Sequence, residues 1–186
     1  PRCHVLQAVG KDGKAFATLV NYAIHPEVLG PRQGVVSPDV VGPMYERIQE
    51  NGGGTAIFMN SAQGGMVTAD CRGPDGKDIQ TWAECIRIGN LLADEALRIV
   101  KESKGQKNPE IFITNKLVRF KVDSPLMLQI MEMSPLGYKT EREGTISTMI
   151  NLVNIGNAQI VTIPGEALPN IGFYLKRKMS GEHNFL

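Results

Sequence analysis

The sequence predicts an α/β domain spanning residues 1–186, a mixed β-sheet flanked by helices on both faces. Three observations predict it. Strand-length apolar runs recur between stretches of helical period. The runs 15–25 and 55–60 are apolar on both faces, as interior strands covered from two sides are. The order hairpin, helix, strand, helix, strand, helix, hairpin, helix mixes tight turns with crossovers.

Composition narrows the partners. A net charge of +1 gives no electrostatic basis for nucleic acid or an anionic membrane. No apolar run approaches the roughly 18 residues of a transmembrane segment. Cys3, Cys71 and Cys85 form no CxxC pair and read as structural or incidental thiols. The chain enters a strand directly after Pro1-Arg2, which reads as a cut start.

In chain order, residues 3–9 and 15–25 form a hairpin through Asp12-Gly13. Within the second strand Asn21, Ala23 and His25 share a face by the period of two. Ser37-Pro38-Asp39 opens a helix that runs to Glu50, with Val41, Met44, Tyr45 and Ile48 as its apolar stripe. The glycine run 52–54 follows a helix and precedes a strand. A phosphate loop needs the reverse order, so it reads as a stop and turn. A helix over 78–101 buries Trp82, Ile86, Gly89, Ala93, Ala96 and Val100 on one face. Residues 110–122 read as a strand with a bulge near Asn115-Lys116, and Ser124-Pro125 opens a short helix. Its methionines, Met127, Met131 and Met133, read as core or as a pocket lining. Residues 135–144 form a charged loop. Residues 146–155 and 158–163 form a hairpin through Gly156-Asn157, and a last helix starts at Glu166 and runs to Met179.

Three residues stand out chemically. His25 ends a buried strand, and Pro26 biases it toward extended backbone. It reads equally as a hydrogen-bonded structural histidine or as a ligand or catalyst at a strand end, where α/β sites collect. Glu166, after Pro164-Gly165, reads either as an acid complementing a helix dipole or as a site carboxylate. Ser61 follows a buried strand at a turn resembling a nucleophile elbow, though without the G-x-S-x-G pattern.

Four blocks, taken together, resemble the catalytic domain of the neutral/alkaline (non-lysosomal) ceramidase family. They are Asn21-Tyr22-Ala23-Ile24-His25-Pro26, Ser37-Pro38-Asp39 with Gly42, Asn60-Ser61-Ala62-Gln63-Gly64, and Pro164-Gly165-Glu166. The resemblance implies that His25 and Glu166 bind a catalytic zinc and that Ser61 has a catalytic role. It implies two further zinc ligands outside this chain, an upstream histidine and a downstream tyrosine. His4 stands in the wrong sequence context for the first, and Tyr174 lies too close to Glu166 for the second. On this reading the chain is the central part of a larger, truncated domain and is inactive alone. Asp39 and Asn21 are expected behind the ligands, Asp39 as a partner that fixes the His25 tautomer.

The implied activity is hydrolysis of N-acyl amides, carbon–nitrogen bonds other than peptide bonds. In the family the lipid substrate is the sphingolipid ceramide, cleaved to fatty acid and sphingoid base by secreted or periplasmic enzymes. The turn after Ser61 departs from the family's Gly-Asp/Asn-x-Ser-Pro-Asn, reading Gly64-Gly65-Met66-Val67-Thr68-Ala69-Asp70, which puts ceramide itself in doubt. Two rival readings are a metal-free serine hydrolase using Ser61 and a non-catalytic module that keeps the fold.

Overall fold

The computed structural model describes residues 2–65, 68–137, 140–141 and 144–186. Met66 and Val67 of the turn after Ser61, and four residues of the charged loop 135–144, lie outside the described residues. The chain is α/β, with its strands divided between two mixed sheets rather than gathered in one.

The first sheet has the order β1-β2-β3, with β1 His4–Val9, β2 Ala15–Tyr22 and β3 Thr55–Asn60. β1 and β2 are the expected antiparallel hairpin; β2 and β3 run parallel, joined through helix α1 (Val41–Glu50). Alternation along β2 sorts its two faces. Thr18 and Val20, both fully buried, face α1 and the long helix α2 (Trp82–Glu102). Val20 packs in one cluster with Met44 and Ile48 of α1 and with Cys85, Ala93 and Ala96 of α2. Asn21 points to the other face, where its amide meets the Leu186 carbonyl at 3.0 Å. Helix α4 (Pro169–Lys178) lies on that side.

The second sheet has the order β4-β5-β6-β7, with β4 Ile111–Lys121, β5 Thr145–Ile155, β6 Ala158–Val161 and β7 His183–Phe185. β6 and β7 are parallel and joined through α4, so each sheet holds one parallel pair with a helical crossover. β4 and β5 pair in continuous register from Ile111↔Ile155 to Lys121↔Thr145, without the bulge expected near Asn115. The sheets meet through side chains: the His4 ring lies 5.6 Å from that of Phe185.

Several boundaries differ from the sequence reading, each for a local reason. β2 ends at Tyr22, so His25 stands in the loop beyond it and the shared face of Asn21 and His25 dissolves. α1 starts at Val41, because Asp39 takes φ 51° and breaks the helical path. α2 starts at Trp82, where Thr81 accepts the Glu84 amide, the first half of a Thr-x-x-Glu capping box. α4 starts at Pro169 rather than Glu166. Proline suits the first helical turn and holds Leu168 extended at ψ 151°.

Two expected core groups are exposed. Trp82 and Ile86 are 50% and 46% exposed, because α2 turns Cys85, Gly89, Leu92, Ala93 and Ala96 inward instead. Helix α3 (Pro125–Met133) buries no residue fully, and Met127 and Met133 face solvent. Where α2 crosses α1, a Cβ on Gly89 would come within 2.5 Å of the Val40 carbonyl oxygen and 3.2 Å of the Met44 amide nitrogen. Backbone cannot yield as a flexible side chain can. Gly89→Ala therefore lowers the urea unfolding free energy by about 1–3 kcal/mol, whereas Gly105→Ala, which meets open space, leaves it within about 0.5 kcal/mol.

Candidate metal and catalytic site

His25, Ser61 and Glu166 each follow the carboxyl end of a strand from a parallel pair: β2, β3 and β6. Sites in open α/β sheets form at such ends. The structure brings two of the three into direct contact. His25 Nε2 lies 3.3 Å from Glu166 Oε2 across 141 residues of sequence. The imidazole is 25% exposed and the carboxylate 65% exposed, so the pair sits at a cleft mouth within reach of a ligand.

The loop carrying His25 is held from below. Asp39, 4% exposed, accepts from the Val28 and Leu29 amides at 3.0 and 2.9 Å and from its neighbour Val40 at 2.8 Å. A buried carboxylate is tolerable when such donors replace water. Both Asp39 oxygens accept backbone amides, and Glu166 brings a carboxylate to the His25 ring. Asp39 thus shapes the segment that presents His25. Asn21 is wholly buried, and its Nδ2 donates to the Met59 and Leu186 carbonyls. It thereby ties β2 to β3 and to the residue after β7, while among the described residues its Oδ1 has no hydrogen-bond partner.

Ser61 continues the β2–β3 ladder, its amide donating to the Tyr22 carbonyl at 3.2 Å. The next residues dock the Glu166 turn. The Gly64 amide donates to the Ala167 carbonyl at 2.9 Å, and a Cβ at Gly64 would fall 2.6 Å from the Glu166 carbonyl oxygen. Only a residue without a side chain permits that approach. On the far side of the turn, Ala62 packs against Gly172 of α4. Between the turns lies a cleft of about 180 Å³ lined by Met59, Ser61, Gln63, Ile163, Glu166 and Leu186. Gln63 is 8% exposed, and among the described residues its buried Oε1 has no hydrogen-bond partner.

Ser61 also borders a larger cavity of about 640 Å³ whose wall includes Arg2, His4, Lys176 and Arg177. His4 is held neutral there. Burial, then the charges of Lys176, Arg2 and His183, push its pKa down to about 4. Sequence reading passed over this basic group. Lys176-Arg177-Lys178 looks like an ordinary basic last turn of a helix, and Arg2 and His4 join it only in three dimensions. It placed Gln63 and Gly64 in the Ser61 block without assigning them roles, because those roles depend on the opposing turn.

Metal fit rests on the donors present. An imidazole nitrogen and a carboxylate oxygen converging at an open cleft are of the types zinc takes. Among the described residues no group of three or more His, Cys, Asp or Glu surrounds a common point. The pair therefore fits as part of a ligand set.

No protein-family model matches this sequence, and no curated protein matches it. Solved structures do. The neutral ceramidase from Pseudomonas aeruginosa superposes with a TM-score of 0.68 over 93% of this chain and 36% of its own, at 14% identity. A ceramidase complexed with C2 superposes with a TM-score of 0.72 over 98% of this chain and 40% of its own, again at 14% identity. At that identity the likeness is one of fold. The chain spans well under half the length of either structure.

Two outcomes follow from the geometry. Gly64→Ala forces the Glu166–Ala167 backbone away and costs about 1–3 kcal/mol in urea unfolding. Acidification destabilises the fold through His4, because the unfolded histidine takes up its proton first, near the usual 6.5. The contribution is complete above pH 6.5 and is lost as pH falls toward 4. His4→Gln flattens the unfolding free energy between pH 6.5 and 4, read by urea titrations across that window.

Proposed function

We propose that this chain is the central part of a larger ceramidase-like catalytic domain, and that the whole protein hydrolyses N-acyl amides with His25 and Glu166 as two ligands of a zinc ion. The observation that carries this reading is the 3.3 Å approach of His25 Nε2 to Glu166 Oε2 beside Ser61, within a fold shared with the two ceramidase structures. The remaining ligands come from sequence outside these residues, since a catalytic zinc takes three protein ligands and an open position.

When bound, zinc supplies Lewis-acid polarisation of the amide carbonyl and brings the pKa of water to about 7. The chain's own residues supply the rest. Ser61 hydrogen-bonds the amide or the oxyanion that forms from it. Gln63 Oε1 accepts a donor of the substrate. Asp39 keeps the His25 loop in place, and Asn21 holds β2 and β3 in line behind it. The cleft walls, Met59, Ile163 and Leu186, take hydrocarbon. A lipid amide fits this lining, and a secreted or periplasmic location goes with the resemblance. Among the described residues no helix is long and apolar enough to cross a membrane.

One observation also favours a second reading. The His25–Glu166 hydrogen bond is two thirds of a Ser-His-acid relay, which Ser61 would complete without metal. The complete protein separates the two. Under the zinc reading, purified protein contains zinc by atomic emission, and a chelator abolishes hydrolysis of a fluorescent N-acyl amide. His25→Ala and Glu166→Ala each strip the metal and lower kcat/KM by at least about 100-fold. Ser61→Ala keeps the metal and lowers kcat by about 100- to 1000-fold. Chelator-resistant activity with covalent labelling of Ser61 establishes the serine reading instead. Unchanged zinc content and activity in His25→Ala would sink the first.

A further inference from the structure

The larger cavity beside Ser61 is cationic: its wall holds three basic side chains against one carboxylate. Arg2, Lys176 and Arg177 border it, and among the described residues none of the three makes an ion pair. One carboxylate, Glu182, also borders it but is turned elsewhere: Asn157 Nδ2 donates to it at 2.8 Å, and His183 Nε2 lies 3.8 Å away. His4, facing Phe185, cannot neutralise the cations either. Lys176 is partly desolvated, and its ammonium pKa is lowered by burial alone. A cation withdrawn from water without an anion is costly, and a bound anion offsets that cost.

The remaining wall is specific in another way. Ala62, Pro169 and Phe173 are apolar, so the cavity suits an anion on a carbon framework rather than a hydrated inorganic ion. Among the described residues Asn184 Oδ1 is buried with no hydrogen-bond partner, while its Nδ2 donates to the Lys176 carbonyl and so fixes the amide's orientation. The site therefore presents cations for a carboxylate beside an apolar wall. At about 640 Å³ it lies within the ordinary range of small-molecule sites, roughly 300–1,000 Å³.

Ser61 lies in the walls of both cavities, so the cationic cavity abuts the place where the amide would be cleaved. We propose that it is a carboxylate-binding subsite, and that the amide this protein cleaves carries a carboxylate on its amine side, as an N-acyl amino acid does and a neutral sphingoid amide does not. The proposal rests on the hydrolase reading above and names its substrate class. In an N-acyl amino acid the carboxylate is two bonds from the amide nitrogen, which matches two cavities sharing one wall. Hydrolysis breaks the acyl C–N bond and forms a C–O bond from water. Both water protons end on the leaving nitrogen, giving a fatty carboxylate and an amino acid with a free ammonium group.

The test uses the complete protein with N-lauroylglycine and its neutral isostere N-lauroylglycinamide. Binding is followed by calorimetry and turnover by release of laurate. The glycine conjugate is expected to bind at least about ten-fold tighter, with a preference that weakens as salt rises. In Lys176→Gln and Arg177→Gln, checked for folding by thermal melts, the ratio of the two dissociation constants falls toward one. Equal affinities in the wild type, or a preference surviving in both variants, would overturn the subsite. Preferential binding of the anionic amide with no turnover of either compound supports the subsite and removes the hydrolase reading. Equal binding with equal turnover does the opposite.

Discussion

Two turns share one small space, and the rest of the site depends on it. The Ser61–Gly64 turn ends β3, and the Pro164–Leu168 turn leaves β6. They touch through the Gly64 amide and the Ala167 carbonyl, with no side chain between them. Because both partners are backbone, the approach is set by geometry that side-chain motion cannot relax. Glu166 is carried to His25 by this contact, since among the described residues the two sheets share no ladder of hydrogen bonds. The cleft beside Ser61 is the gap left when the turns close to this distance.

Behind that contact, each sheet delivers its residue in the same way. A parallel strand ends, a turn breaks its direction, and a helix carries the chain back. Pro26 and Asp39 manage the break after β2; Gly165, at φ 97°, and Pro169 manage it after β6. Asp39 has the hardest task, since it adopts positive φ and buries a carboxylate. Its bonds to the Val28, Leu29 and Val40 amides offset both demands. Neither Glu166 nor His25 sits in regular structure, which leaves both free to take geometry a strand or helix would forbid.

This explains what could be read from the chain beforehand. The α/β class, both hairpins and every named helix except the short 3-10 turn 31–33 were visible, because apolar period and turn chemistry are local signals. His25, Ser61 and Glu166 were visible because strand-then-turn punctuation marks them. The division into two sheets was not visible, since pairing partners are set by contacts far apart in sequence. Trp82 shows a subtler limit. A stripe through Trp82 and Ile86 and one through Cys85 and Leu92 share Gly89, Ala93 and Ala96, so periodicity alone allows either. The crossing with α1 at Gly89 selects the second. The basic cavity was hidden for a similar reason, because its charges come from both ends of the chain.

The 141-residue span between His25 and Glu166 has a kinetic consequence. Each sheet closes mostly through neighbouring strands, but this pair forms only after the two sheets dock, a step of high loop-closure entropy. Any ligand held by both residues binds the docked state and not its separated halves. It therefore acts as a clasp whose grip on the assembly grows with ligand concentration, by RT ln(1 + [L]/Kd). The resistance of the sheet junction to local opening is then a property of occupancy as much as of sequence, and amide exchange along β6 and the Ser61 turn would slow together as the clasp fills.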